Sequence, residues 1–126
     1  MPASVHSSLA EFTDIVGKDH VLTGESDRQL YSRDVYFWDQ APLVEAVVRP
    51  VSATEVAAVL RLARSKGLAV APRGGGVSYT GGYVPVREGT LLLDLSRLNE
   101  IHEVNVPDLY VTVGAACTWQ QLDEAL

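Results

Sequence analysis

The residues from Pro72 to Gly82, Pro-Arg-Gly-Gly-Gly-Val-Ser-Tyr-Thr-Gly-Gly, combine several features of an anion-binding loop. Five of these eleven residues are glycine, and without a Cβ the main chain can adopt positive φ and approach a ligand closely. Successive N–H groups in such a segment can form a concave site for an anion. Arg73 adds a fixed cation, and Ser78, Tyr79 and Thr80 add hydroxyl donors. The composition therefore predicts a loop that binds a pyrophosphate.

This loop departs from two common nucleotide-binding patterns. The G-x-G-x-x-G fingerprint opens a helix whose N-terminus holds the phosphate, but residues 77–85 are β-branched and interrupted by glycine, which disfavours a helix. The P-loop pattern requires Gly-Lys-Ser/Thr, and no such triplet follows. We therefore expect the main-chain N–H groups of the loop itself to hold the phosphates. The alternative, a surface loop without a ligand, leaves the glycines unexplained, because each costs ~1 kcal/mol where it is not needed.

The elements around the loop form a strand–helix–strand pattern. Val44–Arg49 predicts a strand, Ser52 and Glu55 predict a capping box for the next helix, and Gly67 ends that helix. Leu68–Ala71 predicts a second strand. On the helix between the two strands, the predicted apolar stripe consists of Val56, Val59, Leu60 and Ala63. Short joints predict parallel strands with a right-handed crossover, and the loop then leaves the carboxyl end of a strand, where open α/β sheets bind ligands.

Weaker patterns cover the rest of the chain. Ser8 and Glu11 predict a capped first helix that ends at Gly17, and a short helix is expected at Ser26–Tyr31. Gly89–Asp94 is apolar enough to predict a strand buried on both faces.

The last third of the chain predicts a hairpin and a helix. Ile101–Val106 and Tyr110–Gly114 flank a Pro-Asp turn. A helix follows Thr118, and the spacing of Trp119 and Leu122 predicts that both lie in the core. This helix ends on an apolar residue without a closing Gly, Pro or base, so we expect the chain to be the N-terminal part of a longer protein.

Composition excludes several classes of function. The 126 residues suffice for one modest domain, and 47% apolar content predicts a folded core. A net charge of −6 without a basic run argues against nucleic-acid binding. No stretch approaches the ~18 apolar residues of a membrane span, and the first residues lack the pattern of a signal peptide. The lone Cys117 cannot form an internal disulfide, and we expect a cytoplasmic location.

Four segments in order resemble the FAD-linked oxidases of the vanillyl-alcohol oxidase type, which carry a PCMH-type FAD-binding domain; glycolate oxidase and D-lactate dehydrogenase subunits are similar. The segments are Pro72–Gly82, Arg49–Val59 with its proline and capped helix, Leu93–Asn99 after the loop, and Val113–Leu122, which resembles the family's V-x-x-G-x-x-W-x-x-L helix entry. The resemblance covers residues 42–126.

The resemblance implies an α+β (α/β) fold of the PCMH type, with a small parallel βαβ layer and the start of a second mixed sheet, truncated at its C-terminal end. Residues 1–41 would form an N-terminal helix and an irregular extension, and residues 42–126 the N-terminal part of the FAD-binding domain. The implied cofactor contacts are Pro72, Arg73, Gly74, Gly75, Gly76, Val77, Ser78, Tyr79 and Gly82.

The resemblance also implies an activity, namely oxidation of a 2-hydroxy acid or similar small alcohol by hydride transfer to FAD. Some relatives carry at the position of Val77 a histidine that bonds covalently to the flavin, so valine implies non-covalent FAD. Relatives continue with a second FAD-binding stretch and a substrate-binding domain, which implies that the catalytic base and the small-molecule substrate contacts lie outside this chain. Oxygen, a quinone or an iron–sulfur partner would accept the electrons.

Several alternatives remain open from the sequence. The whole protein could be an NADPH-dependent reductase of the same superfamily, a non-catalytic nucleotide-binding module, or a fragment that self-associates through a sheet edge.

The roles of individual side chains in the loop also remain open. The Arg73 side chain could neutralise phosphate or form a structural pair. Tyr79 could pack on the cofactor or fill a gap in the loop, and the aromatic run Tyr36–Trp38 is expected to pack under the loop.

Overall fold

The computed structural model describes residues 8–35 and 41–126, so the prediction for Tyr36–Trp38 lies outside the described residues. The elements in chain order are α1 (Leu9–Val16), a 3-10 turn (Lys18–His20), β1 (Val21–Leu22), α2 (Glu25–Tyr31), β2 (Ala46–Val48), α3 (Ala53–Ser65), β3 (Ala69–Arg73), β4 (Thr90–Asp94), β5 (Ile101–Asn105), β6 (Tyr110–Val113) and α4 (Trp119–Ala125). The protein has a mixed α/β fold, and the helix expected near Ser26–Tyr31 is confirmed as α2.

The main sheet has four strands in the order β1-β2-β4-β3. Both β2 and β3 run parallel to β4, which confirms the predicted parallel direction of the two strands that flank α3. They are not neighbours, however, because β4 lies between them; the handedness of the crossover stays a prediction. The antiparallel edge strand β1 was not expected from the sequence. The second sheet is the predicted hairpin, β5 paired antiparallel with β6.

Strand β4 is the centre of the core, and every one of its residues is buried. On one face of the sheet Leu91 and Leu93 pack with Phe12 of α1 and Val59 of α3. On the other face Leu92 packs with residues outside the helices, namely Val44, Val47 and Tyr83. Burial on both faces explains the continuous apolar run of β4. The second face borders the glycine loop, because Tyr83 directly follows Gly82.

Of the two predicted N-terminal helix caps, the one at Ser52 forms a side-chain cap and the one at Ser8 does not. The Ser52 hydroxyl accepts a hydrogen bond from the Glu55 N–H at 3.2 Å, as expected of an N-cap. The other half of the predicted capping box does not form, because the Glu55 carboxylate accepts from the Val51 N–H at 2.8 Å and not from that of Ser52. Ser8 forms no side-chain cap, because its backbone is helical (φ −115°, ψ −1°) and not extended. The Glu11 carboxylate, expected to complete that cap, contacts Lys66 Nζ at 2.6 Å instead. The stripe prediction for α3 is wrong at Leu60, which is 43% exposed, whereas Leu62 packs on the core.

The hairpin turn and α4 complete the described chain. In the turn, the Asp108 N–H donates to Asn105 Oδ1 at 3.0 Å. Helix α4 begins with a capping box formed by Thr118 and Gln121. The prediction that Trp119 lies in the core is wrong, because its side chain is 87% exposed and no described residue covers it.

None of the helices in residues 8–35 and 41–126 combines the length and apolar character that a membrane crossing requires.

Candidate anion-binding site

Three charged residues mark the carboxyl edge of the parallel strands, where the glycine loop begins. Arg49 directly follows β2, Asp94 ends β4 and Arg73 ends β3. Because β4 lies between the other two strands, Asp94 is flanked by an arginine on each side. The loop leaves this edge at Arg73, whose carbonyl accepts a hydrogen bond from the Leu95 N–H at 2.8 Å. The predicted exit of the loop at the ligand-binding end of the sheet is therefore what the structure shows.

The main-chain N–H groups of the first half of the loop are unpaired within the described chain. The amides of residues 74–79 donate to no acceptor among residues 8–35 and 41–126. Two carbonyls of the same segment do accept bonds: Gly76 from the Tyr83 hydroxyl at 2.9 Å, and Ser78 from the Val35 N–H at 3.2 Å. This part of the loop is thus held through its carbonyls, while the N–H groups of residues 74–79 have no acceptor within residues 8–35 and 41–126.

Three glycines of the loop have different reasons for lacking a side chain. A Cβ on Gly75 would meet nothing within 4 Å, so the protein itself leaves that space open. Gly76 has φ +78°, and a Cβ there would overlap the guanidinium of Arg73. A Cβ on Gly74 would lie 3.1 Å from the carbonyl oxygen of Ala115. Packing within the chain explains Gly74 and Gly76, but it does not explain Gly75.

The second half of the loop is bonded internally. The Ser78 hydroxyl oxygen accepts from the N–H groups of Thr80 and Gly82, each at 3.3 Å. The Gly81 N–H donates to Asp34 Oδ2 at 2.7 Å. The Gly82 amide is therefore occupied in the described structure, unlike those of the first half. The Ser78 hydroxyl keeps its hydrogen, so it can still donate to a ligand.

The remaining predicted site residues lie around the same loop. Val77 and Tyr79 are 74% and 70% exposed among the described residues, which is inconsistent with the alternative that Tyr79 fills a gap in the loop. Pro72 is exposed on β3, opposite Leu93 of β4. The predicted residues thus lie together in the segment that begins at the carboxyl end of β3.

A polar cluster under the loop was not predicted from the sequence. Asp94 is 1% exposed and accepts bonds at 3.1 Å from both the N–H and the hydroxyl of Ser96. It also accepts from the Tyr31 hydroxyl at 3.2 Å, and Arg49 Nε lies 3.5 Å from its Oδ2. The partners come from three separate segments of the chain. The signal available in the sequence was an aspartate that ends an otherwise apolar strand.

The Arg73 side chain belongs to this cluster and not to the outer surface of the loop. Its guanidinium carbon lies 4.8 Å from the centroid of the Tyr31 ring and 5.4 Å from that of Tyr83. Cation–π contacts of this kind contribute about 0.5–2 kcal/mol, depending on desolvation. Of the two alternatives for Arg73, this geometry favours a structural contact for the side chain.

The contact between Tyr31 and Asp94 makes stability depend on pH in the alkaline range. Burial raises the pKa of Tyr31, and the neighbouring Asp94 carboxylate raises it further. Because the folded protein holds the phenol proton more tightly than the unfolded chain, this contribution is complete below the ordinary pKa of tyrosine, about 10, and is lost as pH rises through the folded pKa. We expect urea midpoints to fall above that pH more steeply in the wild type than in Tyr31→Phe. Equal alkaline slopes would contradict this.

Comparisons with known proteins agree with this geometry. A sequence model of the FAD binding domain family matches residues 44–126. The chain is 33% identical over 116 residues to the 1'-carboxy-chondrochloren decarboxylase of Chondromyces crocatus, covering 91% of this chain and 21% of that protein. It is 36% identical over 100 residues to the D-lactate dehydrogenase of Archaeoglobus fulgidus, covering 73% and 22%.

Solved structures show the same likeness. The 4-ethylphenol oxidase from Gulosibacter chungangensis superposes with a TM-score of 0.84 at 28% identity, covering 97% of this chain and 24% of that one. The chain thus spans about a fifth to a quarter of the length of these relatives. The family match includes β2, the loop and β4, which together build the site described above. The chain therefore belongs to the FAD binding domain family, among the FAD-linked oxidases with the PCMH-type fold.

Proposed function

We propose that the chain binds FAD through its pyrophosphate, which the main-chain N–H groups of Arg73 to Ser78 hold. The observation that carries this proposal is the run of unpaired amides that starts at Gly74 and borders the open space at Gly75. Hydrogen bonds from N–H groups to an anion contribute about 1.5–3 kcal/mol each. Tyr79 and Gly82 lie farther along the same cofactor, and Pro72 fixes the entry of the chain into the loop.

Arg73 contributes in two ways. Its main chain takes part in the loop, while its guanidinium lies under Gly76 between two tyrosine rings. A fixed positive charge there offsets part of the repulsion between a pyrophosphate and a protein whose net charge is −6. The side chain therefore acts on the cofactor through its field and not through a direct bond.

In the longer protein, we propose oxidation of a 2-hydroxy acid or similar small alcohol, on the support of the D-lactate dehydrogenase relative. Bound FAD supplies the hydride acceptor for such a reaction, while the protein supplies binding and orientation. Residues 72–82 hold the diphosphate end of the cofactor. The catalytic base, the substrate contacts and the site for an oxygen, quinone or iron–sulfur acceptor lie outside these residues.

A titration of the chain with FAD tests the binding proposal. We expect a saturable change in the visible flavin spectrum, and we expect ADP to compete while riboflavin, which lacks phosphate, does not. The reason is that the loop binds the diphosphate, which FAD and ADP share. Competition by riboflavin without competition by ADP, or no saturable change at all, would exclude the pyrophosphate site.

The mode of attachment is a separate prediction. Val77 offers no nucleophilic atom to the flavin, so we expect non-covalent binding. Denaturation with urea followed by filtration should release all the flavin from the protein. Flavin absorbance that stays with the denatured chain would contradict this.

A further inference from the structure

In the first part of the glycine loop, from Arg73 to Ser78, three carbonyl groups accept hydrogen bonds from residues outside the loop, and each bond sets the direction of one N–H group. In a trans peptide unit the C=O and the following N–H point in opposite directions, and the described chain has no cis peptide bond. The carbonyls of Arg73, Gly76 and Ser78 accept bonds from Leu95, Tyr83 and Val35. The amides of residues 74, 77 and 79 therefore point away from these three donors.

Among these donors, Tyr83 alone acts through its side chain. Its ring is only 6% exposed and packs with Val44, Val47 and Leu92 on the loop-side face of the sheet. Its hydroxyl reaches the last residue of the Gly74–Gly76 run, Gly76, where φ is +78°. A buried aromatic side chain thus joins the sheet core to the glycine run.

The same ring also limits the space under the loop. The Arg73 guanidinium lies 5.4 Å from its centroid, and a Cβ on Gly76 would overlap that guanidinium. Two contacts therefore restrict Gly76. The Arg73 guanidinium occupies the space where a Cβ would lie, and the Tyr83 hydroxyl is hydrogen-bonded to the Gly76 carbonyl. Loss of the hydroxyl would free the Gly76–Val77 peptide to rotate, since glycine has access to many main-chain conformations.

We infer that Tyr83 is a positioning residue for the cofactor site: its hydroxyl, bonded to the Gly76 carbonyl, turns the Val77 N–H toward the place of the pyrophosphate. This inference rests on the proposed binding of FAD at the loop. Tyr83 itself does not touch the cofactor, and it acts by reducing the conformational freedom that the loop loses when the ligand binds.

The test compares Tyr83→Phe with the matched control Tyr110→Phe. Both changes remove one phenolic hydroxyl; that of Tyr110 donates to Glu103 at 3.1 Å in the hairpin, outside the loop. Tyr83→Phe keeps the buried ring, so the fold is retained. We expect it to lower FAD affinity about fivefold, which corresponds to one net hydrogen bond, and Tyr110→Phe to leave affinity unchanged.

A second measurement separates positioning from general stability. Nitrogen-15 relaxation of the ligand-free chain reports fast motion of individual amides, and Tyr83→Phe should increase it at residues 75–77 and not elsewhere. Unchanged loop relaxation would overturn the inference, as would increased motion without a loss of affinity. If the wild type binds no FAD, the proposed function fails, whereas the relaxation data still decide whether Tyr83 positions these amides.

Discussion

Replacement of Gly75 by valine is expected to abolish FAD binding and to leave the fold intact. A Cβ at this position would meet no atom of residues 8–35 and 41–126 within 4 Å, so the substitution causes no clash with the described part of the chain. The added side chain would instead occupy the space that the unpaired amides border, where we place the pyrophosphate. Loss of two or more bonds to the anion lowers affinity by at least about 100-fold. An FAD isotherm and a thermal unfolding curve measure the two effects separately.

Gly24→Val is a matched control for Gly75→Val. Gly24 lies at the start of α2 with an ordinary φ of −60°, and among the described residues its Cβ would approach only the end of the Asp27 side chain, whose Oδ2 would lie at 3.1 Å. It should bind FAD as the wild type does. Retained affinity in Gly75→Val would remove the pyrophosphate from this loop, and an unfolded Gly75→Val would show that the glycine serves packing.

Removal of the Asp94 carboxylate is expected to destabilise the protein by about 2–4 kcal/mol. The carboxylate is 1% exposed and accepts bonds from Ser96 and Tyr31. In Asp94→Ala these donors lose their acceptor in a buried place, and the Arg49 guanidinium loses its ion-pair partner. Urea unfolding with an unchanged m-value measures the difference.

Asp108→Ala controls for the loss of an acidic residue. Asp108 lies in the exposed hairpin turn, and surface substitutions of this kind change stability by less than about 0.5 kcal/mol. Equal free energies of unfolding for Asp94→Ala and Asp108→Ala would contradict the expected stabilisation by the Asp94 carboxylate.

Local patterns predicted much of the fold. The glycine run predicted the position of the loop, and the apolar run of β4 predicted a strand buried on both faces. Ser52 and Gly67 predicted the two ends of α3: the Ser52 hydroxyl caps its N-terminus, and Gly67 follows its C-terminus with φ +69°. These features depend on neighbouring residues, so a single sequence contains them. The prediction for Ser8 failed because the backbone there is helical and presents no cap geometry.

Contacts between distant residues were beyond the sequence patterns. Strand order depends on pairing across the chain, so the insertion of β4 between β2 and β3 could not be deduced from the strand–helix–strand pattern. Tyr31 and Asp94 are 63 residues apart. The helical spacing of Trp119 and Leu122 suggested burial, but spacing alone does not say whether another element covers the face, and Trp119 is exposed.

The central place of β4 has a consequence for how the protein is made. On the ribosome β2 and β3 emerge before β4, yet neither has a parallel hydrogen-bonding neighbour until residues 90–94 have been synthesised. Pairing between segments far apart in sequence forms late, because the intervening chain must first be ordered. The glycine loop therefore leaves the ribosome well before its Leu95 anchor, and we expect the nascent chain to become competent for cofactor capture only after that residue has emerged.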